Sequence, residues 1–227
     1  MTTDLARSRF DAVLLDLDGT LVDSVRDLMD ALNAVLRDEG LPPVDPAQTR
    51  AMVGDGARKL IERALQAMGG NPARAPDLLP RFLAHYEPIA SRHTRPYPGV
   101  VETLRSLTGA GFALAVVTNK PAQATRLVLD GLDLSPLIAV VVGGDTLEQR
   151  KPDPAPVRAA LRQLGATADR AVMVGDNHHD VEAARAAGVA AIAVSYGYAH
   201  RPVHDLGADA VIDDFRDLPA ALRALPR

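Results

Sequence analysis

Short apolar runs alternate with longer amphipathic segments along most of the chain. The runs are rich in valine and alanine and are not interrupted by polar residues, which is typical of strands buried on both faces. They predict strands over residues 12–15, 114–117, 139–142, 171–174 and 190–194, with a weaker one over 210–212. Helical periodicity lies between the runs, for example over residues 122–129 and 154–164. This order predicts an α/β fold with a doubly wound parallel sheet, in which ligands bind at the carboxyl ends of the strands.

Residues 23–95 break the alternation, because they carry helical periodicity and no convincing strand pattern. The predicted helices cover residues 25–36, 48–53, 57–68 and 77–86, and breaks rich in proline or glycine separate them. A helical insert directly after the first strand would lie above the carboxyl ends of the sheet and could act as a lid. The alternative is a helical bundle that only enlarges the hydrophobic core.

The position of the insert predicts two domains. We expect residues 1–22 and 96–227 to form an α/β core and residues 23–95 to form a helical cap. The turn-rich residues 96–99 mark the return from the cap, and we expect them and residues 21–24 to act as hinges.

Composition limits the possible partners and compartments. The chain has 227 residues, and its formal net charge of −4 favours neither nucleic acid nor a membrane surface as a partner. It has no cysteine, which excludes disulfides and thiolate metal sites and is typical of a reducing compartment. The sequence shows neither an apolar stretch of bilayer length nor a signal-peptide pattern. We expect a cytoplasmic protein that is a monomer or a homodimer.

Two carboxylates, Asp16 and Asp18, follow the first predicted strand. Burying them there is costly unless a cation pairs with them, and Mg²⁺ takes the oxygen ligands that they offer. Gly19 allows a turn at this point, and Thr20 adds a hydroxyl that could reach a phosphate oxygen. A solvated turn is the purely structural alternative. We interpret the cluster as a carboxylate nucleophile held beside a metal ion.

Three further polar clusters fall near the ends of other predicted strands. Thr118 and Asn119 offer a hydroxyl and backbone N–H groups at a helix start, which suits an anion but also a simple helix cap. Lys151 stands beside prolines that fix the backbone, although a lone lysine is usually a surface charge. Asp176 and Asp180 are one helical turn apart and could meet at one point, although acids also suit a helix start. A structural explanation needs a separate coincidence for each cluster, so together they favour an active site.

The four clusters together resemble the motifs of the haloacid dehalogenase superfamily of phosphohydrolases, in the right order and over nearly the whole chain. The segments that carry the resemblance are Asp16-Leu17-Asp18-Gly19-Thr20-Leu21-Val22-Asp23-Ser24, Thr118-Asn119-Lys120, Lys151-Pro152 and Gly175-Asp176 through Asp180. The resemblance implies a Rossmann-like core with a small α-helical cap inserted after the first strand. It also implies a hydrolase that acts on a small phosphorylated metabolite and uses Mg²⁺ as its cofactor.

The resemblance implies a role for each matching residue. Asp16 would attack the phosphorus and form an aspartyl-phosphate, while Asp18 would protonate the leaving oxygen and then deprotonate the hydrolytic water. The implied ligands of Mg²⁺ are the Asp16 carboxylate, the Asp18 backbone carbonyl and Asp176. The implied phosphate-binding residues are Thr118, Asn119 and Lys151. The implied supporting residues are Thr20, which would orient the loop and Asp18, and Asp180, which would orient Lys151 or a metal-bound water.

The fourth motif departs from the family pattern at two positions. Asn177 stands where a small hydroxyl residue is common, and His179 stands where Asn or Asp is common. His179 therefore puts in doubt a metal-shell role at its position. Because adjacent side chains on a helix diverge, we expect His178 and His179 to be mostly solvent-exposed and not to form a transition-metal site.

Further segments resemble phosphoglycolate phosphatases within this superfamily. Asp18 already separates the chain from the dehalogenase branch, which lacks an acid at that position. The matching segments are Val53-Gly54-Asp55-Gly56-Ala57, Gly143-Gly144-Asp145-Thr146 with Arg150-Lys151-Pro152, and Ser195-Tyr196-Gly197-Tyr198. We expect the cap loop with Gly54, Asp55 and Gly56 to approach the substrate and Arg58 to pair with a substrate carboxylate. The predicted reaction is the hydrolysis of 2-phosphoglycolate to glycolate and phosphate.

Other activities remain compatible with the same core residues. Related enzymes that act on pyrophosphate or sugar phosphates share most of the further matches, and a phosphomutase would return the phosphoryl group to a sugar instead of water. A receiver-type signalling module, which is not an enzyme, also places an aspartate pair, a hydroxyl residue and a lysine at the ends of parallel strands. Such modules are smaller and have no large helical insert, so we favour the phosphatase. For Arg58, an exposed surface arginine is the alternative to a ligand.

Overall fold

A parallel sheet lies at the centre of the computed structural model, which describes residues 9–225. The strands, in chain order, are β1 (Ala12–Leu15), β2 (Val22–Asp23), β3 (Arg95–Pro96), β4 (Ala113–Val117), β5 (Val140–Val142), β6 (Ala171–Gly175), β7 (Ala190–Val194) and β8 (Ala210–Ile212). The sheet has the order β5-β4-β1-β6-β7-β8, and every neighbouring pair is parallel. The predicted fold class is therefore confirmed, and each predicted strand is present with bounds that differ by at most one residue.

Helices cover both faces of this sheet and form the insert. They are α1 (Val25–Asp38), α2 (Pro46–Arg50), α3 (Ala57–Ala67), α4 (Ala75–Tyr86), α5 (Val100–Gly109), α6 (Ala122–Gly131), α7 (Ala155–Leu164), α8 (His178–Ala187) and α9 (Leu218–Ala224). Successive residues of β1 point to opposite faces, as the strand period requires. Val13 and Leu15 pack in one cluster with α5, α6 and α9, whereas Ala12 and Leu14 pack in another with α7 and α8.

The helix predicted over residues 48–53 is wrong in both bounds, because α2 covers Pro46–Arg50. Asp45 caps it by accepting a hydrogen bond from the Gln48 backbone N–H at 2.7 Å, and the Gln48 side chain accepts from Asp45 N at 2.9 Å. This capping box, with a proline as the first helical residue, starts the helix early. The following residues are thereby freed for the loop that leads to Gly54.

The two chain segments that connect the sheet to the insert form a short pair of antiparallel strands, which the sequence pattern did not predict. Val22 of β2 pairs with Pro96 of β3, and Asp23 pairs with Arg95. Two-residue strands are too short for a periodic signal, and a proline is atypical of a strand interior. The pair lies within or beside both segments that were predicted to be hinges.

The insert packs onto the core through a continuous apolar cluster. Leu17 and Leu21, directly after β1, belong to the same cluster as Leu32 of α1 and Phe82 of α4. The insert therefore lies over the end of the sheet where the first motif emerges. Within residues 9–225, none of the helices combines the length and apolar character that crossing a bilayer requires. The cytoplasmic location and the oligomeric state stay predictions.

Candidate active site

The four predicted clusters meet at one edge of the sheet. Leu15 of β1 is in register with Val116 of β4 and Val174 of β6, so these three neighbouring strands end at the same level. Asp16, Thr118 and Asp176 each directly follow the last residue of their strand. The parallel topology is what brings together side chains that are far apart in sequence.

Three carboxylates and one lysine form the centre of the site. Asp16, Asp176 and Asp180 each offer a carboxylate oxygen, and these oxygens lie within 4.8 Å of one another. Lys151 Nζ lies 3.0 Å from Asp16 Oδ1 and 2.6 Å from Asp180 Oδ1, and it donates to the Val117 carbonyl at 2.6 Å. Asp180 therefore contacts Lys151, which is one of the two partners predicted for it.

The electrostatics of this group favour an additional cation. Burial raises the pKa of Asp176 well above its usual range, and the neighbouring Asp16 and Asp180 raise it further. Burial also raises the pKa of Asp16, although Lys151 opposes this. Burial disfavours the Lys151 ammonium, but Asp16 and Asp180 raise its pKa, so it stays charged. One buried ammonium faces three carboxylates, and these oxygen donors suit a hard divalent cation.

Thr20 contacts Asp176, which corrects the prediction that it orients Asp18. Its Oγ1 donates to Asp176 Oδ1 at 3.1 Å, and the Tyr198 backbone N–H donates to Asp176 Oδ2 at 2.6 Å. Gly19, with φ of +88°, lets the loop pass so close that a Cβ would lie 2.5 Å from Asp176 Oδ2. The first motif therefore fixes the carboxylate of the fourth.

Asp18 is oriented by two groups that the sequence did not suggest. Ser24 Oγ donates to Asp18 Oδ1 at 2.6 Å. Lys120 Nζ lies 3.1 Å from Oδ1 and 3.0 Å from Oδ2. Lys120 is the last residue of the second motif, and the family resemblance implies no role for it, although it is one of only three lysines in the chain. The rarity of lysine in a chain with 25 basic residues is a signal that could have marked it.

Asn119 uses its side chain to hold the cap loop. Its Nδ2 donates to the carbonyls of Gly54 and Lys151, each at 3.1 Å. A phosphoryl contact from Asn119 would therefore come from its backbone and not from its amide. Thr118 is buried beside it, and its Oγ1 accepts from Lys120 N at 3.3 Å, which leaves the hydroxyl proton for an anion.

The loop of residues 53–56 reaches the core and lines the cavity with Gly54 and Gly56, while the approach of Gly54, Asp55 and Gly56 to a substrate stays a prediction. Gly56 has φ of +85°, and a Cβ there would lie 2.8 Å from the Asn119 carbonyl oxygen, so a larger residue would push the loop away. Asp55 contacts His179 Nε2 at 2.6 Å and Arg63 Nη2 at 2.5 Å. The contact with His179 lowers the pKa of Asp55 and links the insert to α8.

The prediction that His178 and His179 diverge into solvent is wrong. Their ring centroids lie 3.8 Å apart, and the His179 side chain is 12% exposed. The cause is the insert, which covers the start of α8 and offers the Asp55 carboxylate to His179. The sequence of α8 alone could not indicate that the insert covers the start of this helix.

Arg58 lies outside the cavity that Asp16 and Asp18 line, as the alternative of an exposed surface arginine requires. It is exposed and lines a surface depression with Glu62, Pro72 and Ala73. Arg58 is the second residue of α3 and directly follows the loop, but its side chain lies on the exposed face of the helix.

A cavity with a free volume of about 40 Å³ lies between core and insert. Asp16, Asp18, Thr118, Asn119 and Lys120 line its core side. Leu28, Val53, Leu60, Phe82, Leu83 and Tyr86 line its insert side. The cavity therefore joins a charged floor to an apolar roof, which is the usual composition of a small-molecule site.

Comparison with known proteins identifies the family. Residues 13–194 match the family described as haloacid dehalogenase-like hydrolase. The chain belongs to this family. It is 51% identical over 213 residues to a phosphoglycolate phosphatase of Rhodospirillum rubrum, which covers 91% of this chain and 88% of the relative. It is 44% identical to a phosphoglycolate phosphatase of Caulobacter vibrioides, with coverage of 92% and 89%.

A solved structure agrees with these relatives. The crystal structure of a predicted phosphoglycolate phosphatase from Haemophilus somnus superimposes with a TM-score of 0.89 at 32% identity. The superposition covers 94% of this chain and 98% of that chain. The predicted superfamily is therefore confirmed, as is the prediction that the chain is a hydrolase of the phosphatase type.

Proposed function

We propose that this enzyme is a Mg²⁺-dependent phosphatase that hydrolyses 2-phosphoglycolate to glycolate and phosphate through an aspartyl-phosphate on Asp16. The observation that carries the proposal is the position of Asp16, whose carboxylate lies 3.0 Å from Lys151 Nζ and close to Asp176 and Asp180 at the cavity floor. The names of the relatives favour 2-phosphoglycolate as the substrate.

In the first step, an Asp16 carboxylate oxygen attacks the phosphorus, and the bond between phosphorus and the bridging oxygen breaks. Asp18, in its protonated form, gives its proton to that oxygen, so glycolate leaves as an alcohol. The hydrogen bond from Ser24 holds the Asp18 carboxyl beside the cavity, which Asp16 and Asp18 both line.

In the second step, Asp18 takes a proton from a water molecule that attacks the phosphorus of the aspartyl-phosphate. The bond between phosphorus and Asp16 breaks, phosphate leaves, and both carboxyl groups return to their starting forms. Mg²⁺, held by the Asp16 carboxylate, the Asp18 carbonyl and Asp176, would screen the repulsion between an anionic nucleophile and an anionic substrate.

The remaining core groups would bind the phosphoryl oxygens. Lys151 supplies a buried positive charge, and the Thr118 hydroxyl and the Asn119 backbone N–H supply donors. The start of α6 directly after these residues adds the positive end of a helix dipole.

We propose that residues 23–95 act as a cap on a core of residues 1–22 and 96–227, of which residues 1–8 and 226–227 lie outside the described part of the chain. The free volume of about 40 Å³ holds roughly three water molecules. A phosphorylated metabolite is larger than this volume, so the cap would have to open for a substrate to enter.

The test is phosphate release from 2-phosphoglycolate with Mg²⁺ by the wild type and by Asp16→Asn. We expect the variant to lose activity by about 10³-fold or more, because an amide cannot act as the nucleophile. Asp11→Asn is the matched control, since Asp11 lies at the opposite end of β1 in a surface ion pair with Arg170. Full activity of Asp16→Asn would contradict the mechanism. Transfer of the phosphoryl group to a sugar with no free phosphate would indicate a mutase instead.

A further inference from the structure

Lys120 bridges the core and the insert from inside the cavity. Its side chain is 5% exposed, and its Nζ lies within 3.1 Å of both Asp18 carboxylate oxygens. The same ammonium lies 4.5 Å from the centre of the Tyr86 ring, at the end of α4. Among the described residues that line the cavity, Lys120 is the only cation. An ammonium has three N–H donors, so its contacts with Asp18 leave a donor for a third group.

Tyr86 offers a second donor on the other side of the same cavity. It is 1% exposed, and its hydroxyl makes no hydrogen bond of ordinary geometry in the described part of the chain, although the Lys120 ammonium lies close enough to interact with it. A contact from Lys120 would use an oxygen lone pair and would leave the hydroxyl proton free for a ligand. Burial raises the pKa of Tyr86 to about 12, so the hydroxyl keeps its proton at neutral pH. Because a buried hydroxyl proton without an acceptor is unfavourable, its position points to a ligand that accepts a hydrogen bond there.

The distance from the reacting atoms fits a carboxylate. Asp18 is the acid that would contact the bridging oxygen of the substrate. Lys120 Nζ lies 3.0 Å from Asp18 Oδ2, so it would lie close to that oxygen as well. In 2-phosphoglycolate a single CH₂ group separates the bridging oxygen from the carboxylate. A carboxylate at that position would otherwise face the apolar side chains of the insert, where an unpaired charge is costly.

We propose that Lys120 and Tyr86 form the subsite that binds the carboxylate of the substrate, and that this pair selects phosphomonoesters with an anionic group one carbon beyond the bridging oxygen. The inference rests on the proposed function. It replaces the predicted role of Arg58, which is exposed and outside the cavity.

The test compares kcat/KM on 2-phosphoglycolate and on ethyl phosphate, in which a methyl group replaces the carboxylate. In Lys120→Met we expect the ratio of the two values to fall about 100-fold, with most of the loss in KM for 2-phosphoglycolate. In Tyr86→Phe we expect the ratio to fall about tenfold. Lys120→Arg, which keeps the charge, should retain more of the ratio than Lys120→Met. Lys59→Met is the matched control, since Lys59 is an exposed lysine that pairs with Glu62 on α3.

The ratio separates recognition from positioning. If Lys120 only orients Asp18, both substrates lose activity equally, the ratio stays within threefold of the wild type, and the subsite is refuted. Should Lys120→Met fail to fold, Tyr86→Phe and Lys120→Arg still decide between these outcomes. A wild type that hydrolyses ethyl phosphate but not 2-phosphoglycolate would instead overturn the proposed substrate, and the subsite with it.

Discussion

Thr20 shows how a hydroxyl in the first motif can orient a carboxylate of the proposed metal site without being a ligand itself. Its Oγ1 donates to Asp176 Oδ1, while the opposite oxygen accepts from the Tyr198 backbone. Both oxygens of this buried carboxylate are thus fixed before any ion binds. Groups that orient a metal ligand in this way contribute to affinity even though they are not ligands.

We predict that Thr20→Val raises the Mg²⁺ concentration needed for half-maximal activity by about tenfold, because Asp176 loses the donor that orients it. The measurement is a Mg²⁺ titration of phosphate release. Thr125→Val is the control, since Thr125 is equally buried and its hydroxyl has no hydrogen-bond partner in residues 9–225. An unchanged Mg²⁺ requirement in Thr20→Val would show that Asp176 needs no help from this hydroxyl.

At this scale the sequence predicted which residues gather but not which partner each one takes. Asp16, Asp176, Asp180 and Lys151 meet as the strand ends required. Thr20 contacts Asp176 and not Asp18, and the cavity is lined by Lys120, to which no role was assigned, and not by Arg58. Which hydrogen-bond partner a side chain takes depends on the backbone angles within the loops and on the position of the insert. The spacing of residues along the sequence contains neither kind of information.

At the scale of elements, Asp27 ties α1 to the return segment before β3. Its carboxylate is fully buried and accepts hydrogen bonds from His93 N, Thr94 N and Thr94 Oγ1 at 2.7 to 3.0 Å. The two chain segments that connect the insert to the core are thereby fastened to each other, on the insert side of the β2–β3 pair.

We predict that Asp27→Ala lowers the free energy of unfolding by about 3 kcal/mol, because it leaves several buried donors without an acceptor. The measurement is urea-induced unfolding followed by circular dichroism. Asp77→Ala is the control, since Asp77 is an exposed acid in the first turn of α4 and its loss should cost less than about 1 kcal/mol. Equal stability losses in the two variants would mean that the donors of residues 93–94 find water instead.

The elements themselves were largely predictable, for a physical reason that also explains the exceptions. Central parallel strands are buried on both faces, so β1 and β7 appear as apolar runs with the bounds that the structure has. The start of α2 is set by a capping box, which does not show in the periodicity of apolar residues. The strands β2 and β3 have two residues each and are too short to show an alternating pattern. Local hydrogen bonds decide these cases.

At the scale of the whole molecule, the buried carboxylates of the active site lower the stability of the folded protein. Three carboxylates are gathered under an insert that shields them from water, and Asp176 itself is 2% exposed. Without a metal ion, one buried lysine balances them only in part. Arrangements of this kind persist because function needs them, and substitutions that relax them often stabilise a protein while abolishing its activity.

We predict that Asp176→Asn stabilises the metal-free protein at neutral pH and abolishes Mg²⁺-dependent turnover. The folded-state pKa of Asp176 is raised above the value of 3.8 that it has when unfolded, mainly by burial. The folded state therefore binds more protons between these two pKa values, so wild-type stability falls as pH rises through the folded pKa. An amide carries no charge to desolvate, and the Thr20 hydroxyl can rotate to accept from it.

The melting temperature of metal-free Asp176→Asn should exceed that of the wild type by about 3–6 °C at neutral pH, which corresponds to about 1–2 kcal/mol. The difference should widen as the pH rises from the usual carboxyl range through the raised folded-state pKa, since only the wild type must ionise this buried carboxyl. Added Mg²⁺ should raise the melting temperature of the wild type more than that of the variant. Asp205→Asn is the control, because Asp205 is exposed and its loss should leave the melting temperature unchanged. A variant that melts below the wild type at every pH would show that the hydrogen bonds of Asp176 outweigh the cost of its charge.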